Sequence, residues 1–233
     1  MSVTMTSHLP PHAPAPGLPA APVPAPVSAP ANVPLSAPQA PGDDDGWTLE
    51  AQRAAFAQRR FLAMPLAGTL AWGVIGLAGA LLSPQAASLV LFAATGSIVW
   101  LGLALSRWTG EHLAGPRRDP RRNEFDALFM HGVAMALLVW AIAIPFAVAQ
   151  PASLPLGVGI LTGLMWLPLS WILRHPVGLA HGIGRTVAVT AAWHLAPAHR
   201  MTLIPAVIVL GYLLTILVLE RRWRALQAAS TTV

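Results

Sequence analysis

Four ionisable side chains in or at the edge of otherwise apolar stretches stand out: Asp126, His131, His181 and Arg185. His181 and Arg185 are four residues apart, so on a helix they lie one turn apart on one face. Asp126 and His131 lie in the inner half of another apolar stretch. Ionisable groups are costly inside a bilayer, which makes each a functional candidate by default. If their two helices touch, Arg185 pairs with Asp126 and the two histidines line a cytoplasm-facing cavity suited to an anion or a proton path. The plainer alternative is that Arg185 extends its head group to the interface while both histidines bond backbone carbonyls.

Named chemistries fail for want of residues. The chain has no cysteine, which removes disulfides, thiolate metal sites and cysteine nucleophiles together. A zinc protease needs two histidines one turn apart on a helix with a glutamate between them, and no such set is present. An intramembrane serine protease needs a serine in a Gly-x-Ser-Gly turn, where this chain has Pro168-Leu169-Ser170-Trp171. Haem held between helices would have His131 and His181 as its only pair. No catalytic residue, metal ligand set or cofactor is therefore assigned, and an enzyme ranks behind non-enzymatic readings.

The elements that must position these residues follow from composition. Of 233 residues, 55% are hydrophobic and 10% charged, too apolar for a soluble surface. Residues 1–46 form a Pro/Ala-rich tail, with 12 of the 23 prolines before residue 43. Such a segment has no periodic apolar side chains, and the expectation is a disordered cytoplasmic tail. Residues 47–61 follow as an interfacial amphipathic helix, with Leu49, Phe56 and the stem of Arg60 on one face. Six apolar stretches come next, at 62–82, 86–105, 127–149, 152–173, 177–195 and 202–219. Each covers ~27–35 Å as a helix, the thickness of a hydrocarbon core. The expected fold is all-α: a polytopic bundle of six transmembrane helices in three hairpins, within a domain 62–224, and then a short tail 225–233.

The cations are 14 arginines and no lysine. Twelve lie on one side: Arg53, Arg59, Arg60, Arg107, Arg117, Arg118, Arg121, Arg122, Arg174, Arg221, Arg222 and Arg224. Only Arg200 lies in a connection on the other side. Positive charge is retained in the cytoplasm, so both termini are expected there, with anionic lipid headgroups as neighbours and no nucleic acid. The fifth stretch is the least apolar, but dropping it would move the C-terminal arginines outside.

Packing signals accompany the spans. Gly159 and Gly163, Gly178 and Gly182, and the series Gly73, Gly76 and Gly79 place small residues at helical spacing, so backbones can approach closely. Packing within one bundle is the first reading of these glycines and a homo-oligomer face the second. Pro145, Pro168 and Pro205 are expected to bend their helices. Trp108, Trp171, Trp193 and Trp223 read as interfacial anchors, and Trp72, Trp100, Trp140 and Trp166 as core.

Residues Glu50 to about Glu220 resemble a family of small bacterial multi-pass membrane proteins catalogued only as a domain of unknown function. The likeness rests on Glu50, Arg53, Phe56, Arg59-Arg60, Pro65, Gly68 and Trp72, and on Leu167-Pro168-Leu169-Ser170-Trp171. It implies a compact six-helix module in a bacterial inner membrane to which the tail is an addition, and it transfers no catalytic residue. Two roles remain open: a small transporter or permease-like protein of unknown substrate, or a non-transporting scaffold that recruits a partner through the proline-rich tail.

Overall fold

The computed structural model describes residues 47–111, 113 and 123–230, and all regular structure among them is helical. The proline-rich segment 1–46, residues 112 and 114–122, and the last three residues of the expected tail 225–233 lie outside the described residues.

Helix α1 (Leu49–Ala57) starts where the Thr48 hydroxyl accepts from the Ala51 N–H at 3.2 Å. It stops short of the expected residue 61. Arg59 and Arg60 there turn toward carboxylates on other helices, and Phe61 takes a left-handed φ of 59°. Helix α2 (Ala63–Leu81) is capped from a distance: Glu111 Oε1 accepts from the Leu62 and Ala63 N–H groups at 2.7 and 2.8 Å. Helix α3 (Pro84–Thr109) opens with a Ser83 cap and Pro84, and ends at Gly110 with φ 75°.

Asn123 caps α4 (Glu124–Leu138), which continues beyond Val139 as α5 (Trp140–Ala149) with Pro145 inside it. The next stretch is interrupted as well. Helix α6 (Leu154–Leu164) stops at Met165-Trp166, and α7 (Leu167–Leu173) restarts with Pro168 in its first turn. That break is the bend expected at Pro168, since proline cannot donate to the preceding turn. Helix α8 covers Val177–Leu195, and α9 runs from Arg200 to Ser230 through Pro205 without interruption.

Each of the six expected apolar stretches is therefore helical. Five helical stretches are long and apolar enough to cross a membrane: Ala63–Leu81, Pro84–Thr109, Glu124–Ala149, Pro151–Leu173 and Pro197–Ala229. The described residues are all-α, and these five helices suggest a membrane-embedded protein. Helix α8 has the length of a span, at 19 residues, but its composition is more polar than that of the five.

Packing centres on α2 and α9. Helix α2 lies against α3 and α9, α9 against α8 and α6, α8 against α6 and α7, and α1 against α4 and α7. Trp72, Ile75, Val158, Val189, Ile204 and Ile208 are buried at these contacts. The α2–α9 approach depends on small residues: a side chain at Gly79 would collide with the Met201 carbonyl, and one at Gly76 would press on Pro205. Gly73 faces open space and takes no part. Trp100, expected in the core, is 73% exposed among the apolar side chains on the outer face of α3. Its position in the middle of a span fixes its depth but not its direction.

Candidate functional site

Arg185 is 4% exposed, deep where α6, α8, α9 and α2 meet. Its Nε donates to the Gly159 carbonyl at 2.7 Å, Nη1 to the Tyr212 hydroxyl at 2.9 Å and Nη2 to Thr162 Oγ1 at 3.0 Å. The guanidinium carbon lies 5.4 Å from the Trp72 ring centre and 5.2 Å from that of Tyr212. Aromatic faces and neutral oxygens thus surround the cation. No carboxylate among the described residues pairs with it.

His181, one turn earlier on α8, is 5% exposed. Its ring lies 4.6 Å from Trp166 and 4.9 Å from Tyr212, centre to centre. Its Nδ1 is 2.7 Å from Thr215 Oγ1, and the Thr215 hydroxyl in turn donates to the Gly211 carbonyl at 2.8 Å. A hydroxyl has one proton, so Nδ1 carries the hydrogen of this bond and Nε2 is the bare acceptor. Among the described residues Nε2 meets no partner, although it is buried.

Glycines make the room. A side chain on Gly163 would come within 2.9 Å of Arg185 Cδ, and one on Gly68 would enter the Tyr212 ring. Gly178 lies under the Trp166 carbonyl at the α6–α7 break, Gly182 against Leu167, and Gly159 against Ile208 and Val189. All four glycines of α6 and α8 singled out by spacing thus meet atoms of their own chain.

The other two candidates lie elsewhere. Asp126 pairs with both terminal nitrogens of Arg59. His131 is exposed on α4, with its Nδ1 2.7 Å from the Ala127 carbonyl. The structure therefore brings His181 and Arg185 together and places Asp126 and His131 outside their cluster. The true neighbours are Trp72, Thr162, Trp166, Tyr212 and Thr215. One signal in the sequence pointed to them, since Tyr212 is the only tyrosine and stands in the middle of an apolar run. Among the described residues no three histidine or acidic side chains gather as a metal site would require.

Below this cluster, a ring of ion pairs ties α1 to the ends of the other helices. Glu50 bonds Arg53 at 2.5 Å and Arg174 at 3.2 Å, and Arg53 also donates to the Ile172 carbonyl at 3.1 Å. Arg60 makes a two-pronged contact with Glu220, at 2.8 and 3.0 Å, and lies over the Trp223 ring. The Arg53 hydrogen bond, ahead of the Arg174 charge, holds the Glu50 carboxyl below the usual carboxylate range. Burial, with the nearby Arg222 charge, lowers His175, whose Nδ1 accepts from the Val177 N–H at 3.2 Å as a neutral ring must. A groove of about 560 Å³ opens beside this ring, lined by Leu49, Glu50, Arg53, Phe125, Trp171 and Arg174.

These contacts give every residue of the opening pattern except Pro65 a physical task. Glu50, Arg53, Arg59 and Arg60 form the ring. Phe56 is buried against Phe61 and Phe125, while Gly68 and Trp72 reach the Arg185 cluster. In the second motif Leu167 packs on Gly182. The Ser170 hydroxyl accepts from the Leu179 N–H at 2.5 Å, which satisfies the free start of α8. Ser170 thus serves as a cap for α8.

The model of a family of unknown function matches residues 50–222, the segment that contains both the ring and the cluster. Comparison with curated proteins and with solved structures finds no match.

Proposed function

Given that the chain belongs to DUF7010, a family of unknown function, we propose that it is a small transporter of six spans in a bacterial inner membrane, with both termini in the cytoplasm. The observation that carries this reading is the buried Arg185–His181 cluster at the junction of four helices. Polar groups at such a depth are costly and are typical of solute and ion pathways.

The direction of α8 supports its counting as the sixth span. Leu179, Ile183 and Val187 are 48%, 54% and 63% exposed, while His181 and Arg185 turn inward. Average composition counts the polar face, whereas lipid would meet only the apolar one. Twelve arginines on one side against one on the other support the orientation. Arg107 and Arg221 are exposed on that side, where anionic headgroups would neighbour them.

Reporter fusions after Arg224 and at Arg174 should both report cytoplasm. A periplasmic signal at either point would refute the six-span arrangement. Purified protein in vesicles should take up a small solute from a mixed panel, and loss of uptake on replacing Arg185 in a folded variant should follow. No uptake, with specific capture of a protein by residues 1–46, would favour the scaffold role instead.

A further inference from the structure

We propose that the Arg185–His181 cluster binds a small monovalent oxyanion together with one proton, the anion on Arg185 and the proton on His181 Nε2. This rests on the transporter reading for its biological use, but not for its chemistry.

A guanidinium has five N–H donors, and three are bonded to Gly159, Tyr212 and Thr162. Two N–H groups remain at a fully charged and buried head. The Tyr212 hydroxyl accepts from Arg185 and keeps its own proton to donate. Donors without acceptors among the described residues therefore remain on and beside a positive charge that no described carboxylate offsets. An unneutralised cation in a low-dielectric site is a strong anion attractor.

His181 offers the opposite function. With the Thr215 proton donated to the Gly211 carbonyl the ring is the Nδ1–H tautomer, and its Nε2 is an acceptor buried without a donor among the described residues. Both His181 and Arg185 are near the ring of Tyr212, the His181 ring centre at 4.9 Å and the guanidinium carbon at 5.2 Å from its centre. The charged or titratable groups facing His181 are Arg185 on its own helix and Tyr212 on α9; Thr215 and Trp166 complete its surroundings. An anion on Arg185 and a proton on the neighbouring ring attract each other, so each favours the binding of the other. Anion and proton then enter as a neutral pair. The proton comes from water or from the acid form of the ligand, Nδ1 keeps its hydrogen, and the charge of the site stays as it was. A neutral solute would leave the charge unanswered, and a cation would be repelled.

The test uses the full chain in detergent, titrated with sodium acetate and sodium nitrate, with the sodium salt of a bulky sulfonate as the ionic-strength control. Trp72 and Trp166 report binding by fluorescence, and an indicator dye in weak buffer reports protons. The expected result is a saturable signal with the small anions only and uptake of about one proton per nitrate bound. His181→Gln should keep the anion signal and lose the proton. Arg185→Gln should weaken the anion by about tenfold or more, as for loss of a charge-assisted donor. No saturable response of the native chain to either anion overturns the proposal, whatever the variants do, as does proton uptake that survives in His181→Gln. Uptake of a neutral solute into vesicles without any anion response would sink this site and leave the transporter reading standing. Anion and proton binding without transport of any solute would do the reverse.

Discussion

Arg185 on α8 donates to the hydroxyl of Tyr212 on α9 at 2.9 Å, so the buried cation of the bundle is anchored by the only tyrosine of the chain and not by an acid. This pairing ties two helices that are close in sequence, whereas the Asp126 expected from depth belongs to the α1 ring. Several consequences can be measured.

Close packing at the α6–α7 break should be unforgiving. Gly178→Val would drive a branched side chain into the Trp166 carbonyl, with backbone on the far side of the clash. A loss of about 1–3 kcal/mol or more is expected. Gly184, on the same helix, faces open space, and Gly184→Ala should be neutral or stabilising by up to about 1 kcal/mol. Thermal melts of the two variants in detergent provide the comparison. Equal effects would mean that α8 is not seated as described.

The α1 ring should contain one strong pair and one weak pair that share Glu220. Arg60 grips Glu220 with two nitrogens and is 30% exposed, while Arg224 meets the same carboxylate with a side chain 74% exposed. Double-mutant cycles on unfolding should give about 1 kcal/mol for Arg60–Glu220 and about 0.3 kcal/mol for Arg224–Glu220. A larger coupling for Arg224 would contradict the geometry.

Acid should loosen α1 before the rest. Glu50 has a carboxyl lowered by Arg53 and Arg174, so its contribution is present above the ordinary carboxylate range and is lost as the pH falls through its lowered value. Amide exchange in α1 should therefore rise under acid, and Glu50→Gln should reproduce that rise at neutral pH. Helices α2 and α9 should keep their protection in both cases.

Truncation should separate tail from module. A chain starting at Trp47 retains the Thr48 cap and the whole matched segment, and should insert and melt as the full chain does. Removing Thr48 as well should cost about 1 kcal/mol through the lost cap.

Most of the helical plan was legible because lipid imposes both length and composition. The apolar run 177–195 coincides with α8, and 62–82 with α2 to within a residue at either end. The spacing of His181 and Arg185 also predicted their shared face. What spacing could not supply was azimuth across helices. Asp126 lies at a suitable depth on α4, but α4 is occupied with α1, and depth alone cannot distinguish a neighbour from a bystander. Trp100 shows the same blindness, central in its span yet turned outward. The break at Met165-Trp166 was visible through Pro168, whereas the one at Val139 had no comparable marker six residues ahead of Pro145.

The inward polar face of α8 also constrains how the chain is made. As α8 leaves the ribosome its Arg185 finds Gly159 and Thr162, which are already synthesised, but Tyr212 and Thr215 follow only with α9. A lone arginine at the centre of a nascent helix adds ~2.5–3.5 kcal/mol against its release into lipid. On the six-span proposal, helix α8 should therefore linger in the translocon until α9 arrives, and the two should leave it as one unit. The short connection Ala196–His199 suits that delay, since it lets α9 reach its partner as soon as it has folded.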